Sequence, residues 1–397
     1  MSHKFDLPDG TSATACGKVT RRAIFAWLIS ANCPSGKIGS EKRRGLPIRL
    51  LLWQVLSRPQ DDQAAAISWR TMETRMKTPT EFAIVQTNGI RLRVALAGNG
   101  PLVVLVHGWP ESWYSWRHQI PALVEAGYRV AAPDLRGYGG SDKPAPIEAY
   151  SIKDMCADIA GLIESLGETQ AILVGHDWGA PIVWNTSLFF PEKVRAVAGL
   201  SVPYAGRGPA PRIELFRNIY KDRFFYQIYF QQPGVAEAEL EADVRTSLRK
   251  IYYGASGEGL KTGPRPKKPP DAIYLDGLTD PDPLPHWLTR DDLDYYGGEF
   301  ERSGFRGPLN RYRTSEIDFA QQAEVANRRI EQPAAFIAGS LDPVLAFLPG
   351  VDLIARMREQ VTDLRLVRIF DGAGHWIQQE RPAEVNAALL EFLGGLA

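Results

Sequence analysis

Apolar runs recur along the chain from residue 82 onward, separated by polar or glycine-rich turns. Residues 82–86 and 91–97 predict two strands joined at Asn88-Gly89, a dipeptide typical of tight hairpins. Leu102–Val106 is entirely apolar and rich in valine, as is typical of a central strand buried on both faces. Five later runs predict further strands, at residues 129–132, 171–174, 194–201, 334–338 and Leu364–Phe370.

Two stretches have the periodicity of amphipathic helices. In the first, Ser151 is placed to cap the helix, Asp154 follows three residues later, and Gly167 ends it. Its apolar face includes the small residue Cys156. The second stretch covers residues 383–393. Strands that alternate with helices predict a mostly parallel α/β sheet of about eight strands, covered on both faces.

The alternation stops between residues 205 and 316, where aromatic, charged, proline and glycine residues are frequent. This region predicts a mostly helical insertion that forms a cap over the core. The core then consists of residues 76–204 and 317–397. Residues 1–75 show no regular pattern and an excess of basic side chains. We interpret them as a poorly ordered extension without a catalytic role, with a targeting segment or a start codon assigned too far upstream as alternatives.

Composition excludes several classes of protein. The 397 residues include 46 Lys and Arg and 46 Asp and Glu, and this net charge of zero gives no support to nucleic-acid binding. Three cysteines without metal-binding spacing predict neither a metal site nor a disulfide framework. No apolar run reaches the roughly 20 residues of a membrane span. We therefore expect a cytoplasmic protein with no metal and no organic cofactor, for which a homodimer is one possible assembly.

The most informative segment is Gly175-His176-Asp177-Trp178-Gly179, which follows the predicted strand at residues 171–174. It resembles the nucleophile elbow of α/β-hydrolases, a tight strand-to-helix turn at which serine usually holds the central position. A carboxylate cannot perform serine-type acyl transfer, but it can displace a leaving group at carbon and form an alkyl ester. Asp177 therefore indicates epoxides or alkyl halides as substrates. An aspartate that only caps the following helix is the alternative.

Two later segments supply candidate partners for this carboxylate. Asp342 follows the predicted strand at residues 334–338, and His375 follows Leu364–Phe370 in a glycine-rich loop. Both lie beyond the carboxyl ends of strands, where sites in α/β sheets form. We expect His375 to be the general base and Asp342 to orient its ring, with Asp371 as the alternative to Asp342.

A second loop, His107-Gly108-Trp109-Pro110, follows the central strand and predicts an oxyanion site. The backbone N–H groups of Trp109 and Trp178 are the candidate donors to charge that develops on the nucleophile's ester. Gly108 and Pro110 belong to the same candidate site, where Pro110 constrains the loop because it has no N–H to donate. His107 is a further candidate there, and a structural histidine bonded within the fold is its alternative.

Together these segments resemble the epoxide hydrolases of the α/β-hydrolase superfamily, particularly the soluble, cytosolic-type branch and its bacterial relatives. The resemblance extends from residue 82 to the C-terminus and rests on three motifs: His-Gly-Trp-Pro at 107–110, Asp-Leu-Arg-Gly-Tyr-Gly at 134–139 and Gly-His-Asp-Trp-Gly at 175–179. Haloalkane dehalogenases share much of this core. Fluoroacetate-type dehalogenases usually have arginine after the nucleophile, where this chain has Trp178.

Two segments of the predicted cap are similar to those that carry the ring-opening tyrosines of epoxide hydrolases. The resemblance assigns this role to Tyr226, with Tyr229 as the alternative, and to Tyr312. Arg311 stands where the family commonly has tryptophan, which changes the expected shape of the pocket. The chemical reason for two phenols is independent of the family. An epoxide oxygen leaves as an alkoxide that needs hydrogen bonds and a proton, whereas a halide needs no proton.

The sequence therefore predicts an α/β-hydrolase fold that converts a small hydrophobic epoxide and water into a vicinal diol. Asp177 is expected to attack an oxirane carbon, and His375 to activate water against the resulting ester. The alternatives are a haloalkane dehalogenase and, from a different class, a receptor of the same fold that binds a small ligand without turnover.

Overall fold

The structure, a computed structural model, describes the strands Ser2–Asp6 and Ser12–Cys16 and residues 80–262 and 267–396. The chain divides into two compact units, Met1–Ala66 and Ile67–Ala397. In the first unit, strands β1 (Ser2–Asp6) and β2 (Ser12–Cys16) pair antiparallel, which the sequence patterns did not predict. Most of residues 1–75, for which we predict a poorly ordered extension, lies outside the described residues.

Eight strands of the second unit form one mostly parallel sheet, as predicted. In chain order its strands are β3 (Glu81–Thr87), β4 (Ile90–Ala97), β5 (Leu102–Val106), β6 (Arg129–Pro133), β7 (Ala171–His176), β8 (Val194–Leu200), β9 (Ala334–Gly339) and β10 (Leu364–Phe370). Their order across the sheet is β10-β9-β8-β7-β5-β6-β4-β3. Within this sheet, antiparallel pairing is confined to β3 with β4 and β4 with β6.

Local sequence explains the ends and the burial of these strands. Strands β3 and β4 join through Asn88 and Gly89, whose φ angles of 44° and 75° are the left-handed values that the tightest hairpin turns require. Every residue of β5 and β7 is buried. This explains why these two segments show no polar alternation, because central parallel strands are covered on both faces.

Helices cover the sheet and also fill the long connection between β8 and β9. In chain order they are α1 (Gln119–Glu125), α2 (Ile152–Ser165), α3 (Gly179–Phe189), α4 (Arg212–Ile219), α5 (Tyr226–Tyr229), α6 (Val235–Ala242), α7 (Val244–Ala255), α8 (Gly257–Lys261), α9 (Arg290–Ser303), α10 (Arg306–Asn310), α11 (Ser315–Gln321), α12 (Leu353–Gln360), α13 (Ile377–Glu380) and α14 (Pro382–Gly394). Helix α2 begins as predicted, because the Ser151 side chain accepts a hydrogen bond from the N–H of Asp154 at 3.3 Å. Cys156 on this helix is buried in the core.

Helices α4 to α10 lie within residues 205–316, the region predicted to be a helical insertion, and α11 begins there but continues to Gln321. We call residues 212–321 the cap segment. Apart from residues 263–266, which the structure does not describe, this segment contains helices, turns and loops but no strand. Among all described helices, none is both long and apolar enough to cross a membrane. Strands β5, β7, β9 and β10 run parallel, so the loops that follow them meet at one edge of the sheet beneath the cap segment.

Candidate active site

Asp177 lies at the turn between strand β7 and helix α3. Its φ angle of 48° is in the left-handed region, which costs a residue with a side chain about 1–3 kcal/mol and which aspartate and asparagine tolerate better than most. The helix begins immediately afterwards, and the N–H of Ala180 donates to the carbonyl of Asp177 at 3.0 Å. The strand and the helix therefore hold the carboxylate at a fixed place beyond the sheet.

Two glycines allow the backbones to approach each other at this turn. A Cβ atom on Gly179 would lie 1.9 Å from the carbonyl oxygen of Val106, at the end of β5. A Cβ atom on Gly108 would lie 2.4 Å from the Cβ of Asp177. Neither contact can exist in a folded chain, so both positions require glycine. At the elbow itself, Gly179 is therefore fixed by the close approach of the end of β5.

The carboxylate of Asp177 has a different partner on each oxygen. Oδ1 accepts a hydrogen bond from the backbone N–H of Trp109 at 2.7 Å. Oδ2 lies 3.3 Å from Nε2 of His375, and only 11% of the Asp177 side chain is exposed. One oxygen thus faces a predicted oxyanion donor and the other faces the predicted base. The N–H of Trp178, the other predicted donor, stays a prediction.

Asp342 orients the opposite side of the His375 ring. Nδ1 lies 3.1 and 3.0 Å from the two carboxylate oxygens. Asp342 has a fully buried side chain and accepts the N–H of Val344 at 2.9 Å, where a 3₁₀ turn begins. Asp371, the alternative from the sequence, is exposed and accepts a hydrogen bond from Oγ of Ser340 at 3.1 Å instead. The structure therefore brings Asp342, and not Asp371, to the histidine.

The two carboxylates control the protonation of His375. Burial alone would lower the pKa of its imidazole, but the charge of Asp342 and the hydrogen bonds with both carboxylates outweigh burial. The pKa is raised well above its usual value as a result. Because Nδ1 donates to Asp342, the proton that exchanges sits on Nε2, which faces Asp177.

A buried glutamate that the sequence analysis did not single out supports the oxyanion loop. Oε2 of Glu111 accepts the N–H of Gly108 at 2.9 Å and lies 2.8 Å from Nδ1 of His176. Oε1 accepts the side-chain amides of Gln378 and Gln379 at 2.9 and 3.1 Å. Burial would raise the pKa of Glu111, but the charge and hydrogen bond of His176 lower it to about 2. Glu111 is therefore an ionised group inside the core.

This network extends to the backbone of the base. Nε2 of His176 lies 2.7 Å from the carbonyl oxygen of His375, to which Oγ of Ser201 also donates at 2.7 Å. The N–H of His375 donates to the carbonyl of Ala255, at the end of α7 in the cap segment, at 2.9 Å. In the sequence, the only hint at a role for Glu111 is that it directly follows the His-Gly-Trp-Pro motif. Its burial could not be recognised from a local pattern.

His107 is bonded inside the fold and does not belong to the substrate site. Its Nδ1 lies 2.9 Å from the carbonyl oxygen of Gly108, and its Nε2 accepts the N–H of Leu135 at 3.0 Å. Burial lowers the pKa of His107, so the ring is neutral. Backbone groups thus occupy both ring nitrogens, which favours the alternative from the sequence, a structural histidine bonded within the fold. Pro110 also acts within the fold, because its carbonyl accepts the hydroxyl of Tyr252 at 2.6 Å.

Two tyrosines of the cap segment meet opposite the nucleophile. Tyr226 begins helix α5, Tyr312 lies in a 3₁₀ turn, and their ring centroids are 6.0 Å apart. Burial is the main cause that raises the pKa of both phenols, and the charge of Asp177 raises both further, so both hydroxyls are protonated at neutral pH. Tyr229, the alternative to Tyr226, interacts with Glu239 instead.

Neighbouring side chains hold these two phenols in place. The side-chain amide of Gln227 donates to the hydroxyl oxygen of Tyr226 at 2.9 Å, which leaves the O–H of Tyr226 free to donate to another group. The ring of Tyr312 packs edge to face against Trp109 and Trp178, with centroid distances of 5.8 and 5.1 Å. Tyr312 is thus packed against the same two residues that were predicted to form the oxyanion site.

Two cavities with mainly apolar walls meet at these residues. One has a volume of about 210 Å³ and includes Trp109, Tyr312 and His375 in its wall. The other, of about 270 Å³, extends past Trp178. Both cavities share four lining residues: Asp177, Tyr226, Val344 and Phe347. Within residues 80–262 and 267–396, no cluster of His, Cys, Asp and Glu side chains could hold a metal ion.

Known proteins share this architecture and much of this sequence. Residues 101–247 match the family described as alpha/beta hydrolase fold. Epoxide hydrolase A of Mycobacterium tuberculosis is 48% identical over 324 residues, which cover 81% of this chain and 99% of that protein. Epoxide hydrolase 2 of Siraitia grosvenorii is 40% identical over 317 residues, covering 79% and 98%. The crystal structure of epoxide hydrolase A from Mycobacterium thermoresistibile has a TM-score of 0.75 and 48% identity, and the match covers 80% of this chain and 98% of that chain.

Proposed function

The chain belongs to the epoxide hydrolases of the α/β-hydrolase superfamily, and from this premise we propose that it opens epoxides through a covalent ester on Asp177. The fold and the enzyme class predicted from the sequence are confirmed by these relatives. One observation carries the proposed mechanism. Oδ1 of Asp177 accepts the N–H of Trp109 at 2.7 Å, while Oδ2 lies 3.3 Å from Nε2 of His375.

In the first step, Oδ2 of Asp177 attacks an oxirane carbon, and the bond from that carbon to the ring oxygen breaks. The departing oxygen takes hydrogen bonds from Tyr226 and Tyr312 and a proton from one of them. Burial supports this role because it keeps both phenols protonated until the alkoxide forms. The product of this step is a hydroxyalkyl ester on Asp177.

In the second step, Nε2 of His375 takes a proton from water, and the resulting hydroxide attacks the ester carbonyl carbon. Negative charge then develops on Oδ1, where the N–H of Trp109 already donates and the N–H of Trp178 is the predicted second donor. Collapse of this intermediate breaks the bond to the substrate oxygen. The diol alkoxide takes the proton held by His375, and the carboxylic acid left at Asp177 then gives its proton to Nε2 of His375. This restores the Asp177 carboxylate and the protonated imidazole of the resting site.

Formation of the ester also prepares the base for the second step. The charged carboxylate of Asp177 helps to raise the pKa of His375, and the ester carries no charge. The imidazole therefore loses its Nε2 proton more readily after the first step. The Nε2 proton of His375 passes to the tyrosine that gave its own proton to the alkoxide, and this tyrosine becomes a neutral phenol again. His375 is then neutral and can activate water.

The cap tyrosines favour epoxide opening over haloalkane dehalogenation. A halide leaves as a stable anion, so two protonated phenols at the reacting carbon would have no function in its departure. A receptor without turnover would need the cavity but not a histidine held 3.0 Å from a buried carboxylate and 3.3 Å from the nucleophile. We expect turnover of styrene oxide and none of 1-bromobutane when the two are assayed side by side.

The test of the ester is a single turnover in oxygen-18 water with enzyme in excess. Water attacks the carbonyl carbon in this mechanism, so the label should appear first in the peptide that contains Asp177. The first diol should carry an unlabelled oxygen from the carboxylate. Label that enters only the diol would mean that water attacks the epoxide directly, which would exclude the covalent mechanism.

The finer assignments from the sequence are part of the same proposal. They are the boundaries of the cap at residues 205–316, a cytoplasmic location and a homodimer as one possible assembly. The helices and tyrosines of the cap segment support the first of these. We also propose that residues 1–75 take no part in catalysis, since the residues that form the described site all lie beyond them.

A further inference from the structure

One of the two phenols in the cap segment has an amide partner at its hydroxyl. Gln227 directly follows Tyr226 on helix α5, and its Nε2 donates to the hydroxyl oxygen of Tyr226 at 2.9 Å. Gln227 lines the larger cavity, and only 6% of this residue is exposed. Its Oε1 is buried and has no hydrogen-bond partner within the described part of the chain. The hydroxyl of Tyr226 is therefore the group on which this side-chain amide acts.

The hydroxyl of the other phenol has no such partner. Among the described residues, no N–H group donates to the hydroxyl of Tyr312. Its segment is joined to helix α5 through the backbone instead, because Nε2 of Gln231 donates to the carbonyls of Tyr312 and Gln227 at 2.9 and 2.8 Å. Gln231 thus holds the two tyrosine-bearing segments together, whereas Gln227 makes the two hydroxyls different.

The hydrogen bond from Gln227 changes in strength as Tyr226 loses its proton. A phenol can donate to an amide or accept from it, whereas a phenolate can only accept. Hydrogen bonds to a charged oxygen are roughly twice as strong as hydrogen bonds between neutral groups. The N–H of Gln227 therefore stabilises the phenolate of Tyr226 more than it stabilises the phenol.

The environment of the two phenols differs in the same direction. Burial is the main cause that raises the pKa of Tyr226, and the charge of Asp177 raises it further. The hydrogen bond from Gln227 opposes this rise, as does the charge of Arg212, which lines the same cavity. Burial also raises the pKa of Tyr312, and the charges of Tyr226 and Asp177 add to that rise. The neighbours of Tyr226 therefore favour release of its proton.

We propose that Gln227 is a positioning residue that makes Tyr226 the proton donor to the departing oxirane oxygen, while Tyr312 donates a hydrogen bond and keeps its proton. This inference rests on the proposed function. As the carbon–oxygen bond of the oxirane breaks, the O–H bond of Tyr226 also breaks, and its proton passes to the new alkoxide. The electron pair stays on Tyr226 as a phenolate, which accepts the N–H of Gln227 until the Nε2 proton of His375 restores the phenol.

The first test removes the amide and asks whether the loss runs through Tyr226. Gln227→Met keeps a side chain of similar length without a hydrogen-bond donor. Ester formation with saturating styrene oxide in a single turnover should slow by about tenfold, which corresponds to about 1.4 kcal/mol. The same change in a Tyr226→Phe background should alter the rate by less than about twofold, because the phenol on which Gln227 acts is gone. In a Tyr312→Phe background, the loss of about tenfold should persist.

The matched control is Gln232→Met, which removes an exposed amide just after the same helix and should keep the wild-type rate. An unchanged rate in Gln227→Met would overturn the proposal. An equal loss with and without the Tyr226 hydroxyl would also overturn it, because Gln227 would then act only through the shape of the cavity.

If Gln227→Met does not fold, a comparison of the two tyrosines decides the question. With 1,2-epoxypropane, Tyr226→Phe should slow ester formation by about fivefold or more beyond the loss in Tyr312→Phe. The alkoxide from 1,1,1-trifluoro-2,3-epoxypropane is less basic and needs a proton less, so this epoxide should narrow the difference between the variants. Equal losses in the two variants, or a difference that is the same for both epoxides, would contradict the assignment of the proton donor.

Failure of this inference is distinguishable from failure of the proposed function. A wild-type enzyme that forms the ester on Asp177, and whose two tyrosine variants lose rate equally, has the proposed function without a designated proton donor. A wild-type enzyme that forms no ester on Asp177 would contradict the proposed function itself.

Discussion

The edge of the sheet and the cap segment hold their functional groups by different physical means. At the edge of the sheet, directed contacts of 3.0–3.3 Å between charged groups join Asp177, His375 and Asp342. In the cap segment, Tyr226 and Tyr312 are positioned mainly by aromatic packing, and their rings are 6.0 Å apart. Asp177, His375 and Asp342 follow the ends of strands. The tyrosines lie on a four-residue helix and a four-residue 3₁₀ turn.

This difference implies a division of tasks in the reaction. The nucleophile and the base act on the same ester, so their separation has to stay constant through both steps. The proton donors meet the substrate oxygen, whose position varies with the substrate, and ring packing tolerates such variation better than a short ion pair. Changes at the edge of the sheet should therefore stop one defined step, while single changes in the cap segment should have graded effects.

The largest effect should follow from removal of the nucleophile. Asp177→Asn preserves the backbone at φ 48°, because asparagine also tolerates the left-handed region. We expect styrene oxide turnover to fall about 10⁴-fold or more, with an unchanged melting temperature. The matched control, Asp371→Asn, removes an exposed carboxylate after β10 and should leave turnover at the wild-type level. Substantial diol formation by folded Asp177→Asn would show that the edge of the sheet does not act through an ester.

The next effect tests the cap segment. Losing one phenol should slow alkylation of Asp177 by on the order of 10²-fold, while Tyr226→Phe combined with Tyr312→Phe should bring the loss close to 10⁴-fold. The readout is the rate of ester formation in a single turnover. The control is Tyr229→Phe, which removes the same hydroxyl group from a neighbouring cap tyrosine and should keep the wild-type rate. If the double variant keeps most of the wild-type rate, the tyrosines are packing residues and another group must protonate the departing oxygen.

A smaller and more selective effect should separate the two steps of the reaction. His375→Gln should lower steady-state turnover about 10³-fold, because general-base activation of water is lost while ester formation continues. The stalled ester should be visible as an increase in protein mass equal to one epoxide. His286→Gln is the matched control, since 73% of the His286 side chain is exposed. An unchanged steady-state rate in His375→Gln would remove this histidine from the mechanism.

Much of the edge of the sheet could be predicted because its geometry follows from the order of strands. Parallel strands bring their carboxyl ends to one edge, so Asp177 and His375 could be paired without knowledge of their distance. The choice between Asp342 and Asp371 could not be made in this way. Both follow strand ends, and only the buried contact with the imidazole distinguishes them.

The cap segment and the buried charges could be predicted only in part. Tyr226 and Tyr312 were identified by resemblance, because no periodicity shows which two helices will meet. Arg212 was not identified at all, and Arg311 only as a departure from the family pattern. A charged side chain in a cavity leaves no mark in a local pattern of polar and apolar residues, since its environment comes from distant parts of the chain. Glu111 was missed for the same reason.

The smallest expected effect concerns stability and asks whether a buried charge also holds the edge of the sheet together. Glu111 accepts four hydrogen bonds, from the backbone of Gly108, from His176 and from two glutamine amides. Glutamine at this position would turn its own N–H groups toward one of these donors. Glu111→Gln should therefore lower the free energy of unfolding by about 1–3 kcal/mol at neutral pH, measured by denaturant titration. The control is Glu391→Gln, whose side chain is 57% exposed and whose ion pair lies at the surface.

The pH dependence of this effect identifies its cause. The pKa of Glu111 is lowered from 4.5 to about 2, so the carboxylate stabilises the folded state fully above its ordinary pKa. That contribution disappears as the pH falls from 4.5 toward 2, because the unfolded chain takes up the proton first. The stability difference between the wild type and Glu111→Gln should shrink over this range, while Glu391→Gln should follow the wild type. A difference that stays constant with pH would mean that shape, and not the charge of Glu111, supports the oxyanion loop and the base.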